Sequence, residues 1–227
     1  MSNNSTISNL SNIQNNNSFI FDSEEIAYSP NVVELKPEIS NIITSSNLGN
    51  NLNLKNIALN FKNGEYNFNK SSNLILKTKN CKVTATIFPS GKMICSGAKN
   101  EKESKSACLK FAKIIKKYEN NVELRDFKIQ SIVASFDVKF KIYLPKLYNE
   151  LNILIKNSKQ FGNNNYCKFN KDEFPALVFY INNSKANILI FESGKIVLSG
   201  AIKRKEISEI IKILYPLLIE SKIINNE

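Results

Sequence analysis

The stretch Phe88-Pro-Ser-Gly-Lys-Met-Ile-Cys-Ser-Gly-Ala-Lys99 returns 103 positions later as Phe191-Glu-Ser-Gly-Lys-Ile-Val-Leu-Ser-Gly-Ala-Ile202. Phe, Ser, Gly, Lys, Ser, Gly and Ala keep their offsets, and the changed interior positions exchange one apolar residue for another. A chain that writes the same strand-turn-strand unit twice is read as pseudo-symmetric. Its fold has to hold two copies of one unit, and whatever it binds should match that symmetry.

The residues around each copy extend the repeat. A short β-rich segment opens each half, Ile39 to Thr44 and Lys128 to Val133. In the first half a short helix is expected over Leu54 to Asn60. Alternating strands follow at Asn73 to Thr78, Val83 to Phe88 and Lys92 to Ser96. An amphipathic helix closes each unit. Cys108, Phe111, Ala112 and Ile115 fall at i, i+3, i+4 and i+7, and so do Ile207, Ile210, Ile211 and Leu214. Pro216 is expected to bend or interrupt the second of these helices.

Alternation within the strands separates two faces. Val83, Ala85 and Ile87 suit the helices, while Thr84, Thr86 and Phe88 point the other way. In the second half Ile188, Ile190, Ile196 and Leu198 face the helices, whereas Leu189, Phe191, Val197 and Ser199 do not. The helices cover one side of a sheet, and no further element is left to cover the other. That second face is expected to be open, mildly apolar and edged by lysines: a binding surface.

Composition narrows the partner. Lys and Arg total 31 against 20 Asp and Glu, a net charge of +11. Residues 1–36 carry Asp22, Glu24, Glu25 and Glu34 against Lys36 alone, so the remainder is more basic still. This field suits a polyanion, nucleic acid or an anionic membrane, unless the lysines serve only solubility. Histidine is absent, which removes the usual general base and every Ser-His or Cys-His arrangement. Cys81, Cys95, Cys108 and Cys167 show no CxxC spacing and read as reduced thiols in an intracellular protein. No apolar run reaches the ~18–20 residues that a membrane span needs. Residues 1–36 are rich in Asn and Ser and are read as a disordered segment. No enzyme, cofactor or metal is expected.

Asn47-Leu-Gly49, Ile57-Ala-Leu59, Asn63-Gly-Glu-Tyr-Asn67, the block from Phe88 to Lys99, Asp126-Phe-Lys-Ile-Gln130, Asp137-Val-Lys-Phe140 and Phe174-Pro175 stand in one order. In that order they resemble the core of the TATA-box-binding protein family, over about Pro37 to Glu220. The resemblance implies an α+β saddle of two pseudo-symmetric repeats, with a ten-stranded curved antiparallel sheet and helices on the convex face. The first repeat is placed at 37–122. The second is placed at 123–222 with an insertion around 145–165, and a tail at 223–227 follows. The implied function is general transcription initiation in the nucleus. The family binds A·T-rich promoter DNA in the minor groove as a monomer and meets transcription factors IIA and IIB and TATA-binding-protein-associated factors; weak dimerisation of the free protein is left open.

Site residues carry over position by position. Ile43, Ile94, Val133 and Val197 match the family's aliphatic floor, with Thr86 and Leu189 on the same face. Ser96 and Ser199 stand for its threonines, and Asn41 for one of two central asparagines. Phe174 and Phe191 match one pair of intercalating rings and Phe88 one ring of the other. The family is itself the reference example of such kinking, at about 80°. Lys70, Lys77, Lys82, Lys92, Lys185 and Lys195 fall at its phosphate contacts. Asp172, Glu173 and Pro175, together with Lys102, Lys105, Lys110 and Lys113, fall at partner-binding surfaces.

Four departures stand out. Ser71 replaces the other ring of the first pair, Ser131 the second central Asn, and Tyr180 a phosphate-contacting Arg. Roughly a dozen extra residues lie within Leu144 to Asn170. Phe68 offers a substitute ring if the strand slips. Ser71 and Ser131 keep a second reading open, a family-like factor with weakened TATA recognition that acts mainly as a scaffold.

Overall fold

The computed structural model describes residues 35–49, 51–61, 64–66, 72–78, 81–157 and 164–224. The segment at 1–36 therefore lies almost wholly outside the described residues, as do Phe68, Lys70 and Ser71. The strands are β1 Glu38–Asn47, β2 Gly64–Tyr66, β3 Leu74–Thr78, β4 Cys81–Ile87, β5 Lys92–Ala98, β6 Arg125–Asp137, β7 Tyr166–Lys168, β8 Ala176–Ile181, β9 Ala186–Phe191 and β10 Lys195–Ala201. They form one ten-stranded antiparallel sheet in the order β2-β3-β4-β5-β1-β6-β10-β9-β8-β7. That order reads the same for either repeat outward from the β1–β6 junction, so the pseudo-dyad passes between those two strands.

Among the described residues four helices lie on one side: α1 Leu54–Asn60, α2 Glu101–Ile115, α3 Leu144–Asn157 and α4 Arg204–Glu220. Their apolar stripes explain the side. Cys108, Phe111, Ala112 and Ile115 of α2 and Ile207, Ile210, Ile211 and Leu214 of α4 are all buried. They meet Ile42, Leu74, Leu76, Val83, Ala85 and Ile87 from the first repeat, and Leu177, Phe179, Ile188, Ile190, Ile196 and Leu198 from the second. Thr44 under α2 is fully buried, and its hydroxyl pairs with that of Ser104 at 3.0 Å. Neither polar group is thus left bare in the core.

Capping fixes where the long helices start. Asn100 Oδ1 accepts from Glu103 N at 2.8 Å, and Glu103 Oε2 accepts from Lys99 N at 2.8 Å, a reciprocal pair that satisfies two exposed donors. In α4, Glu206 Oε2 likewise accepts from Ile202 N at 2.8 Å. Of the two outcomes expected at Pro216, interruption does not occur, because α4 runs through it to Glu220. Pro216 has no N–H to donate and faces solvent, as does Lys212 one turn earlier, so the missing donor falls on the side of the helix where water is at hand. The insertion takes a form that the sequence reading did not assign. α3 has 14 residues where α1 has seven, and its apolar run continues through Leu151, which is buried.

Across the pseudo-dyad the N-termini of α2 and α4 meet through Glu101 and Arg204, which are themselves 103 positions apart. Arg204 donates to both carboxylate oxygens, at 2.8 and 2.9 Å. Two equivalent positions would repel if they kept the same charge, and here one is acid and one base. The Arg204 guanidinium holds the Glu101 carboxyl below the usual carboxylate range. Its stabilisation is therefore present above the unfolded carboxylate's pKa and is lost as the pH falls through the lower folded value. The pair is solvent-exposed, so Glu101→Ala should cost no more than about 1 kcal/mol. Denaturant midpoints of variant and wild type should differ at neutral pH and converge in strong acid.

Candidate nucleic-acid interface

Among the described residues, none forms a second layer on the face turned away from the helices. The central residues of that face, Ile43, Ile75, Thr86, Ile94, Val133, Val178, Leu189 and Val197, are half-buried, as expected for a concave sheet whose side chains crowd one another. Register places them in two matching rows. In the first repeat Ile75 pairs with Thr86, Thr86 with Ile94 and Ile94 with Ser45. In the second, Val178 pairs with Leu189, Leu189 with Val197 and Val197 with Ser135. A second row holds Lys77, Thr84 and Ser96 on one side and Tyr180, Asn187 and Ser199 on the other.

At the centre Asn41 pairs with Val133, and Ile43 with Ser131. Here a glycine of each repeated block has a task that the sequence reading missed. Gly97 N donates to Asn41 Oδ1 at 2.7 Å, and Gly200 N donates to Ser131 Oγ at 3.0 Å. Both glycines have positive φ, 109° and 98°, and each sits at a register shift of its strand. Asn41 shares the strand parity of Ile43 and Ser45 on the open face, and with its oxygen accepting from the backbone its amide still has two N–H donors to offer. Ser131 keeps the same anchor and offers one shorter hydroxyl donor. The recurrence of Ser-Gly-Ala in the two blocks was the available signal.

The aromatic positions are set by turns. Gly91 N donates to Phe88 O, and Gly194 N to Phe191 O, both at 3.0 Å. Phe191 thus ends β9, and Phe88 directly follows β4, each at a tight turn closed by a glycine of positive φ. Phe174 N donates to Asn170 O at 2.9 Å in the turn before β8. Ala176 is paired with Phe191, so Phe174, two residues earlier, emerges at the same end of the sheet. Phe174 is 42% exposed, a large cost for a ring with no task.

Charge lines the margins. Lys77, Lys82, Lys92 and Lys195 are exposed, and strand parity puts all four on the open face, while Lys185 is exposed in the turn between β8 and β9, with φ of 52°. They are not equally available. Lys77 Nζ is 2.8 Å from Glu65 Oε1. Lys195 lies across from Asp137, whereas Lys92 lies across from the neutral Asn47. The Lys139 backbone N–H, then its ammonium and Lys195, keep the Asp137 carboxyl low and charged. Among the buried thiols, hydrogen bonding from Cys95 outweighs burial and brings Cys108 to about 7. Burial alone pushes Cys167 up to about 12. Both lie on the helix side, away from this face.

The remaining sequence candidates fall elsewhere. Asp172, Glu173 and Pro175 form an exposed turn beside Phe174. Lys102, Lys105, Lys110 and Lys113 are exposed on α2. The structure therefore gathers one continuous sheet face and two separate outer patches.

A family model described as "Transcription factor TFIID (or TATA-binding protein, TBP)" matches residues 36–118 and 126–221. The chain belongs to the TATA-binding protein family. It is 44% identical over 186 residues to the TATA-box-binding protein of Acanthamoeba castellanii, covering 82% of this chain and 67% of that protein. To the TATA-box-binding protein of Dictyostelium discoideum it is 40% identical over 189 residues, with 83% and 86% covered. Among solved structures it resembles the Methanococcus jannaschii TBP, with a TM-score of 0.64 and 26% identity. That match covers 82% of this chain and 99% of the other. The α+β architecture of two repeats sharing one curved ten-stranded sheet is thus the family's fold.

Proposed function

We propose that this chain is a general transcription initiation factor that binds A·T-rich, TATA-type promoter DNA through the open face of its sheet. It acts in the nucleus, without catalysis or a cofactor, and presents its helices and the Asp172–Pro175 turn to transcription factors IIA and IIB and associated factors. The observation that carries the reading is the uncovered face itself. Two matched, largely aliphatic rows lie between aromatic rings at the strand ends and exposed lysines at the margins, in a family whose relatives bear the name TATA-box-binding protein.

Chemistry favours the minor groove. There A·T pairs offer only the acceptors A N3 and T O2, while a G·C pair adds a protruding amine. A floor of Ile43, Ile94, Val133, Leu189 and Val197 fits flat against the first and clashes with the second. The Asn41 amide donors meet the acceptors, Phe88, Phe174 and Phe191 wedge base steps open at the ends, and the lysines take phosphates. The second reading, a scaffold with weakened TATA recognition, draws on Ser131, whose hydroxyl reaches less far than an amide.

Titration of the chain on a TATA-containing duplex and on a G·C-substituted copy, each at two salt concentrations, separates the two readings. The first expects the A·T site to be preferred by at least about tenfold, with affinity falling steeply with salt on both duplexes. Equal binding to the two duplexes would favour the scaffold.

A further inference from the structure

The two outermost strand pairs of the open face differ in chemistry. By register, Gly64 pairs with Leu76 and Glu65 with Ile75 in the first repeat, while Cys167 pairs with Phe179 and Lys168 with Val178 in the second. Lys168 therefore stands where the first repeat has Glu65, and Tyr180 where it has Lys77. In the first repeat the acid and base neutralise each other at 2.8 Å. In the second the acid is gone. Tyr166 and Tyr180, paired across β7 and β8, stack with ring centroids 5.1 Å apart and planes at 22°. Lys168 Nζ sits 5.2 Å from the centre of the Tyr166 ring.

We propose that Lys168, carried on the Tyr166–Tyr180 stack, is a contact for the sugar–phosphate backbone of a bound duplex at the second-repeat edge of the sheet. Cys167 is buried against the helices, so Tyr166 and Lys168 point to the open face, next to the Val178–Leu189–Val197 row. β7 is the last strand of the sheet, where the backbone of a duplex lying on the floor would pass. The ring beneath the ammonium limits its positions, so less freedom is lost when a phosphate binds. The stacked rings add a flat apolar surface of the kind that packs on deoxyribose. The arrangement places the missing phosphate contact of position 180 one strand further out.

The proposal rests on the reading of this face as duplex-binding, and the test separates the two. Binding of the full chain to a TATA-containing duplex is followed by fluorescence anisotropy across a range of salt. Lys168→Ala should weaken binding about five- to tenfold at low salt and reduce the slope of log affinity against log salt by about one. Lys168→Arg should keep both values, and Tyr166→Ala should lose part of the affinity. The preference for A·T over G·C should not change in any of them. Wild-type affinity and slope in Lys168→Ala would overturn the proposal while the duplex reading stood. An affinity loss that came with an unchanged slope and a lowered melting temperature would also overturn it, as a structural effect. Failure of the wild-type chain to bind duplex would overturn both.

Discussion

Phe174→Ala/Phe191→Ala should bind an A·T-rich duplex about 100-fold more weakly than wild type and should lose most of the bend. Base–aromatic stacking contributes about 1–3 kcal/mol per ring, so two rings at one end account for on the order of 3 kcal/mol, or about two decades. The rings are available for this because neither helps to hold the core. Phe174 is 42% exposed in a turn and Phe191 ends β9 on the open face. The double variant should therefore melt close to wild type. Phe88→Ala removes the one ring matched at the other end and should cost about tenfold. Fluorescence transfer between dyes at the duplex ends measures the bend in each complex. A loss from Phe88→Ala as large as that from the double variant would contradict the unequal ends.

Gly200→Ala is expected to be among the most damaging small changes in the molecule. A Cβ at Gly200 would press on the Lys185 carbonyl oxygen, a backbone atom that cannot rotate away, and φ there is +98°. Left-handed backbone in a side-chain-bearing residue and the clash together should cost about 3 kcal/mol. For a chain of this size that lowers the melting temperature by about 6–12 °C. Gly97→Ala meets the equivalent Lys82 oxygen at 2.7 Å and should fall in the same direction by less. DNA binding should suffer beyond the stability loss, because Gly200 N anchors Ser131 and Gly97 N anchors Asn41. Calorimetry that found both variants within about 0.5 kcal/mol of wild type would contradict the tight strand crossing.

Much of this was legible before any coordinates. The doubled block set the two-fold plan. Alternation in Val83–Phe88 and Ala186–Phe191 separated the buried face from the open one, because side chains in a strand alternate whatever the tertiary fold. Contacts between distant segments were not legible. The Glu101–Arg204 pair depends on how closely two helix ends approach over the dyad. The Tyr166–Tyr180 stack depends on the register of β7 against β8, which follows an insertion of uncertain equivalence in sequence. The insertion's apolar run gave no sign of whether it would extend a helix or form a loop. That Pro216 leaves α4 uninterrupted was not legible either, because a rule about lost hydrogen bonds says nothing of which side of the helix meets water. Ser71, Lys70 and Phe68 lie outside the described residues, so the unequal first-repeat end stands as a proposal on Phe88 and sequence alone.

The central claim is that the open face reads DNA from the minor groove. Replacing each A·T pair of the TATA element with inosine·cytosine keeps the A·T pattern of the minor groove while giving the major groove a G·C pattern, because inosine lacks the exocyclic amine of guanine. Competition titration of the A·T, inosine·cytosine and G·C duplexes should give affinities for the first two within about threefold, with the G·C duplex weaker by at least about tenfold. An inosine·cytosine duplex bound as weakly as the G·C one would contradict minor-groove recognition by this face.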